Sequence, residues 1–265
     1  MIQVSRDIHP SVVTILMERP EKRNALDQAL VAGLTDAILQ ADADDSVRLI
    51  VLTGSGKAFS AGADLAALQR LASATPEDNL SDSRALAALF EAIYQAGTPV
   101  LARVNGHAIA GGCGLAAVCD FVVAADEAKF GFTEVRIGFV PAIISVYLLE
   151  RFPEYAIRRA FLAGGLMSAE EALAMGLVSR VVPGAELDSA VAVIAQDLVR
   201  NTSGDALAAT KALLRTRFAG THAARLDEAV RLNAEARGTR ECRAGVAAFL
   251  DKRPFPWQQI WDSAE

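Results

Sequence analysis

VNGHAIAGGCGLAAVCDFVVAAD, running from Val104 to Asp126, packs a turn, a helix start and a strand into one short stretch. Asn105-Gly106 is a turn signal, and small apolar residues lead from it to the pair Gly111-Gly112. CGLAAVC is short and apolar enough for a buried helix, which Asp120 ends before the strand-like FVVAA. Glycines at a helix start let another group approach the backbone closely. The first-turn N–H groups there lack intrahelical acceptors, and the helix dipole adds to their attraction for negative charge. Such a place can hold an oxyanion. The same features suit a tightly packed helix start with no ligand, and the stretch alone does not separate the two.

Outward from this stretch the chain alternates strand and helix signals. Ile2–Ser5 and Ser11–Met17 flank the turn-like Asp7-Ile8-His9-Pro10 and predict an opening hairpin. ERPEKRNALD reads as a loop carrying the cationic pair Lys22-Arg23. A helix fits Asp27 to Ala41, with Leu30, Leu34 and Ile38 at helical spacing behind an Asp cap. VRLIVLT, Val47 to Thr53, is a nearly continuous apolar run suited to a strand covered on both faces. GSGKAFSAGADL is too rich in glycine and small residues to be regular throughout, and Arg70 to Asp82 reads as loose and polar. Leu86, Leu89, Phe90 and Ile93 share a helix face that ends by Gly97, and Thr98 to Val104 is the next strand.

Beyond the central stretch, Phe130-Gly131-Phe132 and GFVPAIIS bracket a loop containing Glu134. Pro153 starts a helix through Ala160, and Ser168 with Glu171 forms a capping box for another. Val178 to Val182 is the last strand. From Leu187 the pattern is helical, with breaks near Ser203-Gly204, Gly220 and Gly238. Leu207, Leu214 and Phe218 share one face, as do Leu226, Val230 and Asn233. A boundary near residue 200 divides an α/β core, 1–200, from a helical region, 201–265.

Composition narrows the partners. With 26 Lys+Arg against 32 Asp+Glu, the formal charge of −6 argues against a nucleic-acid or anionic-membrane surface. Any phosphate-bearing ligand must be held by a few local cations and backbone dipoles. Cys113, Cys119 and Cys242 lack metal-ligand spacing and read as reduced core residues of a cytoplasmic protein. MIQVSRDIHP has no apolar core or cleavage signature, so no signal peptide is expected. Arg103, Asn105, His107 and Asp120 interrupt the apolar region 100–125, which is no membrane span.

Three chemistries compete for the glycine-containing segments. GSGKAF fails as a phosphate loop, because Val51 stands where the first glycine belongs and Ala58 where Ser or Thr should follow Lys57. AFSAG, Ala58 to Gly62, nearly matches a nucleophile elbow around Ser60, with His107 and His222 as possible bases. Loop residues nevertheless intervene after Thr53, and Ala58 replaces the first glycine. In the third, FSAGADL and AGGCGL each follow a strand, and their N–H groups converge into an oxyanion hole for a thioester turning into an enolate. That mechanism needs a carboxylate to move protons. Glu134, walled by Phe130, Phe132, Ile137 and Phe139, fits, since apolar surroundings raise a carboxyl pKa. Viewed alone, Glu134 reads more readily as a solvated loop charge; the argument rests on the combination.

ERPEKRNAL, AFSAGADL, VNGHAIAGGCGLAAVCDFVVAADEAKFGFTEVRIGFVP and the closing FLDKRPFPW, in that order, resemble the crotonase superfamily of enoyl-CoA hydratases and isomerases. The resemblance implies an α/β spiral of ββα turns with two roughly perpendicular sheets. It also implies C-terminal helices that close the active site and build a homotrimer or hexamer. It implies no metal and no redox cofactor, coenzyme A arriving as part of an acyl-CoA substrate. By position, the amides of Ala63 and Gly111 match the family's oxyanion pair and Glu134 its carboxylate. Ala61, Asp64 and Leu65 match the adenine and pantetheine path, and Arg23 and Ala25 the loop nearing the nucleotide end. Where the family often has Lys three residues after its oxyanion alanine, this chain has Ala66.

Residue 114 departs from the pattern. Two-carboxylate hydratases carry a second glutamate there, and this chain has Gly114. Two carboxylates can grip one water; one readily shuttles a proton between C2 and C4, as the family's isomerases do. Against that, GGCGL followed by FGFTEVRIGFVPAIIS looks most like a bacterial branch of methylglutaconyl-CoA and related branched-chain hydratases that also has glycine there. The expected activity is therefore hydration of a short or branched 2-enoyl-CoA. The rivals are a 3-enoyl to 2-enoyl isomerase, a serine hydrolase and a non-catalytic protein of the same fold. Leu68, Arg84 and Ile143 are expected near the acyl chain.

Overall fold

The computed structural model describes residues 1–71, 73–215 and 239–263, with Ala224, Leu226, Val230, Arg231 and Glu235 between the last two. Strands β1 (Ile2–His9) and β2 (Val12–Met17) form the antiparallel hairpin, Ile2 pairing with Met17 and His9 with Val12. β1 extends through Asp7-Ile8-His9, which the sequence had suggested as turn. β3 (Leu49–Gly54), β5 (Val100–Val104), β7 (Phe121–Ala125) and β10 (Arg180–Val182) extend it, in parallel, to a six-stranded sheet ordered β1-β2-β3-β5-β7-β10.

Every residue of β3 is buried because both sheet faces are covered. Ile50 and Leu52 face one core with α1 (Gln28–Asp42) and α3 (Pro76–Gln95). Leu49 and Val51 face a second, with α8 (Leu187–Asn201). This split follows from the alternation of side chains along a strand. The Asp27 cap forms as expected, its carboxylate accepting from Leu30 N at 2.9 Å.

Two helical stretches depart from the sequence expectation. Arg70 to Asp82 is largely helical: α2 (Leu65–Leu71) ends within it and α3 starts at Pro76. Reciprocal hydrogen bonds between Thr75 and Asp78 close a capping box, Pro76 is suited to the first turn, and the exposed opening turns carry no apolar stripe to betray the helix. The second, α5 (Ala142–Arg151), lies across GFVPAIIS, before the expected α6 (Glu154–Ala163). Ile143, Ile144 and Val146 are β-branched and weak helix formers. Burial of Ile144, Tyr147 and Leu148 outweighs that preference.

The Ser168–Glu171 capping box is present and starts α7 (Ala169–Met175). The break near Ser203-Gly204 separates α8 from α9 (Gly204–Arg215). Leu207 packs on the second core, whereas Leu214 is exposed, so they do not share one buried face. Phe218, Gly220, His222, Asn233 and Gly238 lie outside the described residues. Cys113 and Cys119 are buried thiols; Cys242 is only half-buried, on the helix Arg240–Leu250. No helix among the described residues is long and apolar enough to cross a membrane.

Lys211 of α9 ties the helical region to the central stretch. Its buried ammonium lies 2.6 Å from Asp120 Oδ2 and donates to Thr98 O at 3.2 Å. Removing one partner of such a pair strands the other charge away from water. Lys211→Met is therefore expected to lower stability by about 3 kcal/mol, read as an earlier midpoint in urea unfolding.

Candidate active site

A second, four-stranded sheet is built from β4 (Ala58–Ser60), β6 (His107–Ile109), β8 (Lys129–Gly131) and β9 (Met167–Ser168). The first three run parallel: Ala58 pairs with His107, Ala108 with Phe130 and Ile109 with Gly131. Parallel strands in register deliver the segments that follow them to one edge, where ligands of open α/β sheets bind. Those segments are 61–64, 110–111 and 132–134. All three carry residues singled out from the sequence, although β6 itself was not foreseen.

The first two segments touch backbone to backbone. A methyl group built on Gly62 would lie 2.7 Å from Ile109 O and 3.0 Å from Gly111 N, and one on Gly112 would lie 2.3 Å from Ser60 O. Gly62 also has φ +80°, a conformation that side chains resist. Next door, Ala110 is held at φ 50° immediately before α4 (Gly111–Val118), with its N–H donating to Gly131 O at 2.7 Å. A methyl group on Gly111 would come within 4.0 Å of Ala63 N, so the two loops place Ala63 and Gly111 side by side.

Pairing sets the direction of the Ala63 amide. Leu26 N donates to Gly62 O at 2.7 Å and Asp64 N donates to Leu26 O at 3.0 Å, a one-residue parallel bridge. The polar groups of Ala63 itself therefore point away from Leu26. Gly111 N is a first-turn amide with no intrahelical acceptor. Among the described residues neither amide has a hydrogen-bond acceptor.

Glu134 opens a short 3₁₀ turn, Glu134–Ile137, three residues after Gly131. It is only 7% exposed, and its Oε2 has no hydrogen-bond partner among the described residues. Phe130 and Phe132, expected to wall it, are both fully buried, Phe132 edge-on to Phe161. Ile137 and Phe139, expected there too, are exposed. Burial pushes the Glu134 carboxyl above its usual value. Burial likewise raises the Cys113 thiol, and the nearby Glu134 charge adds to that rise.

The packing around Gly114 bears on the missing second glutamate. A methyl group there would lie 2.9 Å from Ile144 Cγ1, and Ile144 is buried. The side chain of α5 fills the space into which a residue at 114 would grow.

Ala25 is buried and Ala61 half-buried beside the loop, where Ala61 N donates to Arg23 O at 2.9 Å. Arg23 and Leu65 are exposed. The Asp64 carboxylate is occupied locally: Oδ1 accepts from Ala66 N and Ala67 N, and Oδ2 pairs with Arg19 at 3.2 Å. These hydrogen bonds, that of Ala67 first, hold its pKa below the usual value. Leu68 and Ile143 are half-buried and Arg84 is exposed. Sequence reasoning missed Arg19, Asn24 and Ile144, whose importance lies in contacts that no motif spacing announces.

Ser60 is no exposed nucleophile. It is fully buried in β4, its Oγ donating to Asn24 O at 2.8 Å and accepting from Gly62 N at 3.2 Å. His107 instead accepts from Lys129 N at 3.3 Å. The hydrolase reading therefore lacks its elbow and its base among the described residues.

A family model, "Enoyl-CoA hydratase/isomerase", matches residues 7–260. The chain belongs to that family. It is 41% identical over 259 residues to a Thermus thermophilus protein provisionally named an enoyl-CoA hydratase, covering 96% of this chain and 99% of that one. It is 33% identical to the crotonyl-CoA hydratase of Syntrophomonas wolfei, covering 91% and 92%. The crystal structure of a Mycobacterium smegmatis enoyl-CoA hydratase superposes with TM-score 0.89 at 32% identity, covering 97% and 98%. The fold is thus the crotonase fold expected of an enoyl-CoA hydratase/isomerase.

The raised Glu134 carboxyl has a consequence for stability. A carboxyl whose folded pKa exceeds its unfolded value near 4.5 contributes stability below that value, and the contribution is lost as pH rises through the folded pKa. Glu134→Gln removes the charge and keeps the shape. It is expected to melt above the wild type at neutral pH, with the gap narrowing toward pH 4.5 in a series of thermal melts.

Proposed function

We propose that the protein hydrates a short or branched 2-enoyl-CoA, with Ala63 and Gly111 as oxyanion donors and Glu134 as acid–base. The observation that carries this reading is a pair of adjacent amides that find no acceptor among the described residues, on the same end of the sheet as a buried carboxylate whose Oε2 finds no partner among them. The thioester oxygen accepts from both N–H groups, which draws electron density from C3. Glu134 takes a proton from water as its oxygen bonds to C3, and the π electrons move onto the thioester oxygen. The amides hold that enolate. The protonated Glu134 then delivers the proton to C2, the carbonyl reforms and the carboxylate is regenerated. Coenzyme A enters only as part of the substrate, and no metal or other cofactor takes part.

Ala25, Ala61, Asp64 and Leu65 line the path of coenzyme A in this reading, with Arg23 and Lys22 toward its phosphates. The same Glu134 could instead move a proton between C4 and C2, converting a 3-enoyl to a 2-enoyl thioester. The packing of Ile144 on Gly114 favours that second reading, since it leaves one carboxylate.

Product mass from a panel of 2-enoyl and 3-enoyl thioesters separates the two, because only hydration adds water. Ala63→Pro deletes one donor and is expected to lower turnover by roughly two orders of magnitude or more. Glu134→Gln should abolish turnover while acyl-CoA binding survives. Undiminished activity in either folded variant would remove the corresponding role.

We also propose a homotrimer or hexamer in the cytoplasm. Leu226, Val230, Val246, Phe249 and Leu250 are exposed after residue 200, and Ile137, Phe139, Val140 and Val146 beside Glu134, more apolar surface than a monomer leaves in water. Sedimentation is expected to give a trimer or hexamer; a stable monomer at micromolar concentration would overturn this.

A further inference from the structure

We infer that Arg19 is a positioning residue for the oxyanion site, clamping the loop that carries the Ala63 donor between two helix caps. The inference rests on Ala63 N–H being that donor. Arg19 lies near the start of the loop ERPEKRNALD, which the sequence marked by its cationic pair Lys22-Arg23. Its guanidinium lies 3.0 Å from Asp27 Oδ2 and 3.2 Å from Asp64 Oδ2, with side-chain exposures of 16%, 27% and 11%. One guanidinium nitrogen thus serves both carboxylates, and the other donates to Ala25 O.

The two carboxylates are not incidental partners. Asp27 caps α1 through Leu30 N, and Asp64 caps α2 through Ala66 N and Ala67 N. They flank the bridge between Leu26 and Ala63, the pairing that turns the Ala63 amide outward. Arg19 therefore joins the residue after Leu26 to the residue after Ala63. Without it, two carboxylates face each other across that bridge, and like charges at this range repel. The bridge then has only two backbone hydrogen bonds to hold it.

The loop is braced from its other side. Asn24 is fully buried; its Oδ1 accepts from Arg19 N at 2.9 Å, and its Nδ2 donates to Ser55 O and Ala58 O at 2.9 and 2.8 Å. Asn24 fixes the start of the loop against β4, and Arg19 fixes its end against Asp64. An oxyanion donor works only when held at the transition-state oxygen, and a misplacement near 1 Å costs about 100-fold. Arg19 touches no reacting atom in this scheme. Its effect on chemistry passes through Ala63.

A lysine cannot replace it fully, since an ammonium lacks the planar fork. The test compares wild type, Arg19→Met, Arg19→Lys and Asp27→Asn. Asparagine caps a helix about as well as aspartate, so Asp27→Asn removes one arm of the clamp and keeps the cap. Two quantities are read: the split between kcat and KM, and the carbonyl stretching frequency of bound isotope-labelled butyryl-CoA. Donors that grip the oxygen lower that frequency relative to the free thioester. Arg19→Met is expected to lose roughly 10- to 100-fold in kcat, with KM within about threefold and the frequency moved back toward the free value. Arg19→Lys and Asp27→Asn should fall between. Should Arg19→Met not fold, Asp27→Asn carries both readouts. A merely structural role would lower the melting temperature and leave the frequency of the folded protein unchanged. That result, or unchanged kcat in the folded variants, overturns the clamp. A wild-type frequency equal to that of free butyryl-CoA would overturn the donor assignment itself.

Discussion

The candidate site depends on two stretches of backbone approaching closer than any side chain permits. Gly62 and Gly112 leave no room for a Cβ against Ile109 O and Ser60 O respectively. This contact brings a loop amide beside a first-turn helix amide. Each has a separate reason to lack an acceptor: the helix start leaves Gly111 N unmatched, and the bridge to Leu26 turns Ala63 N away. Ala63 and Gly111 are both half-buried, so water can meet either amide, and it is their adjacency that suits a single oxygen in the reading proposed above.

Burial has its clearest cost at Glu134. Its Oε2 has no hydrogen-bond partner among the described residues, and burial raises its pKa. A carboxylate held this way is a better proton acceptor than one in water, because the charged form is penalised. The lysine–aspartate pair at Lys211 and Asp120 shows another arrangement: that half-buried carboxylate has a cation and a backbone amide, Val100 N, to satisfy it. The contrast separates a paired carboxylate from an unpaired one.

Much of this was legible in the chain. Asp27 and the Ser168–Glu171 box act through near neighbours, so their spacing alone announces them. The run 47–53 announced a doubly covered strand because both faces demand apolar residues. Ala63, Gly111 and Glu134 were named as a set through the order of the motifs that resemble the family. What could not be read is held by contacts distant in sequence. Arg19 meets Asp64, Asn24 braces Ala58, and α5 forms despite β-branched residues because the core rewards it. Ile137 and Phe139 were misplaced for the complementary reason: hydrophobicity along the chain gives no direction, and both are exposed.

Gly114 shows how far one residue can be read alone. From the sequence it is an absence, a missing second carboxylate. In the fold it is half of a fitted pair, because Ile144 occupies the neighbouring space. The position of Ile144 is itself secured at several points along α5. Tyr94 donates to Glu150 at 2.7 Å, Tyr147 donates to Glu91 at 2.8 Å, and Arg151 donates to Ala117 O and Cys119 O at the end of α4. Those contacts bind α5 to α3 and α4 together, so Ile144 cannot withdraw without disturbing both. A glutamate at 114 would need the isoleucine smaller as well, and overpacking a well-filled core costs about 1–3 kcal/mol. The absence of a side chain at 114 is thus built into helix packing, and the chemistry proposed for Glu134 has to be accomplished with that packing in place.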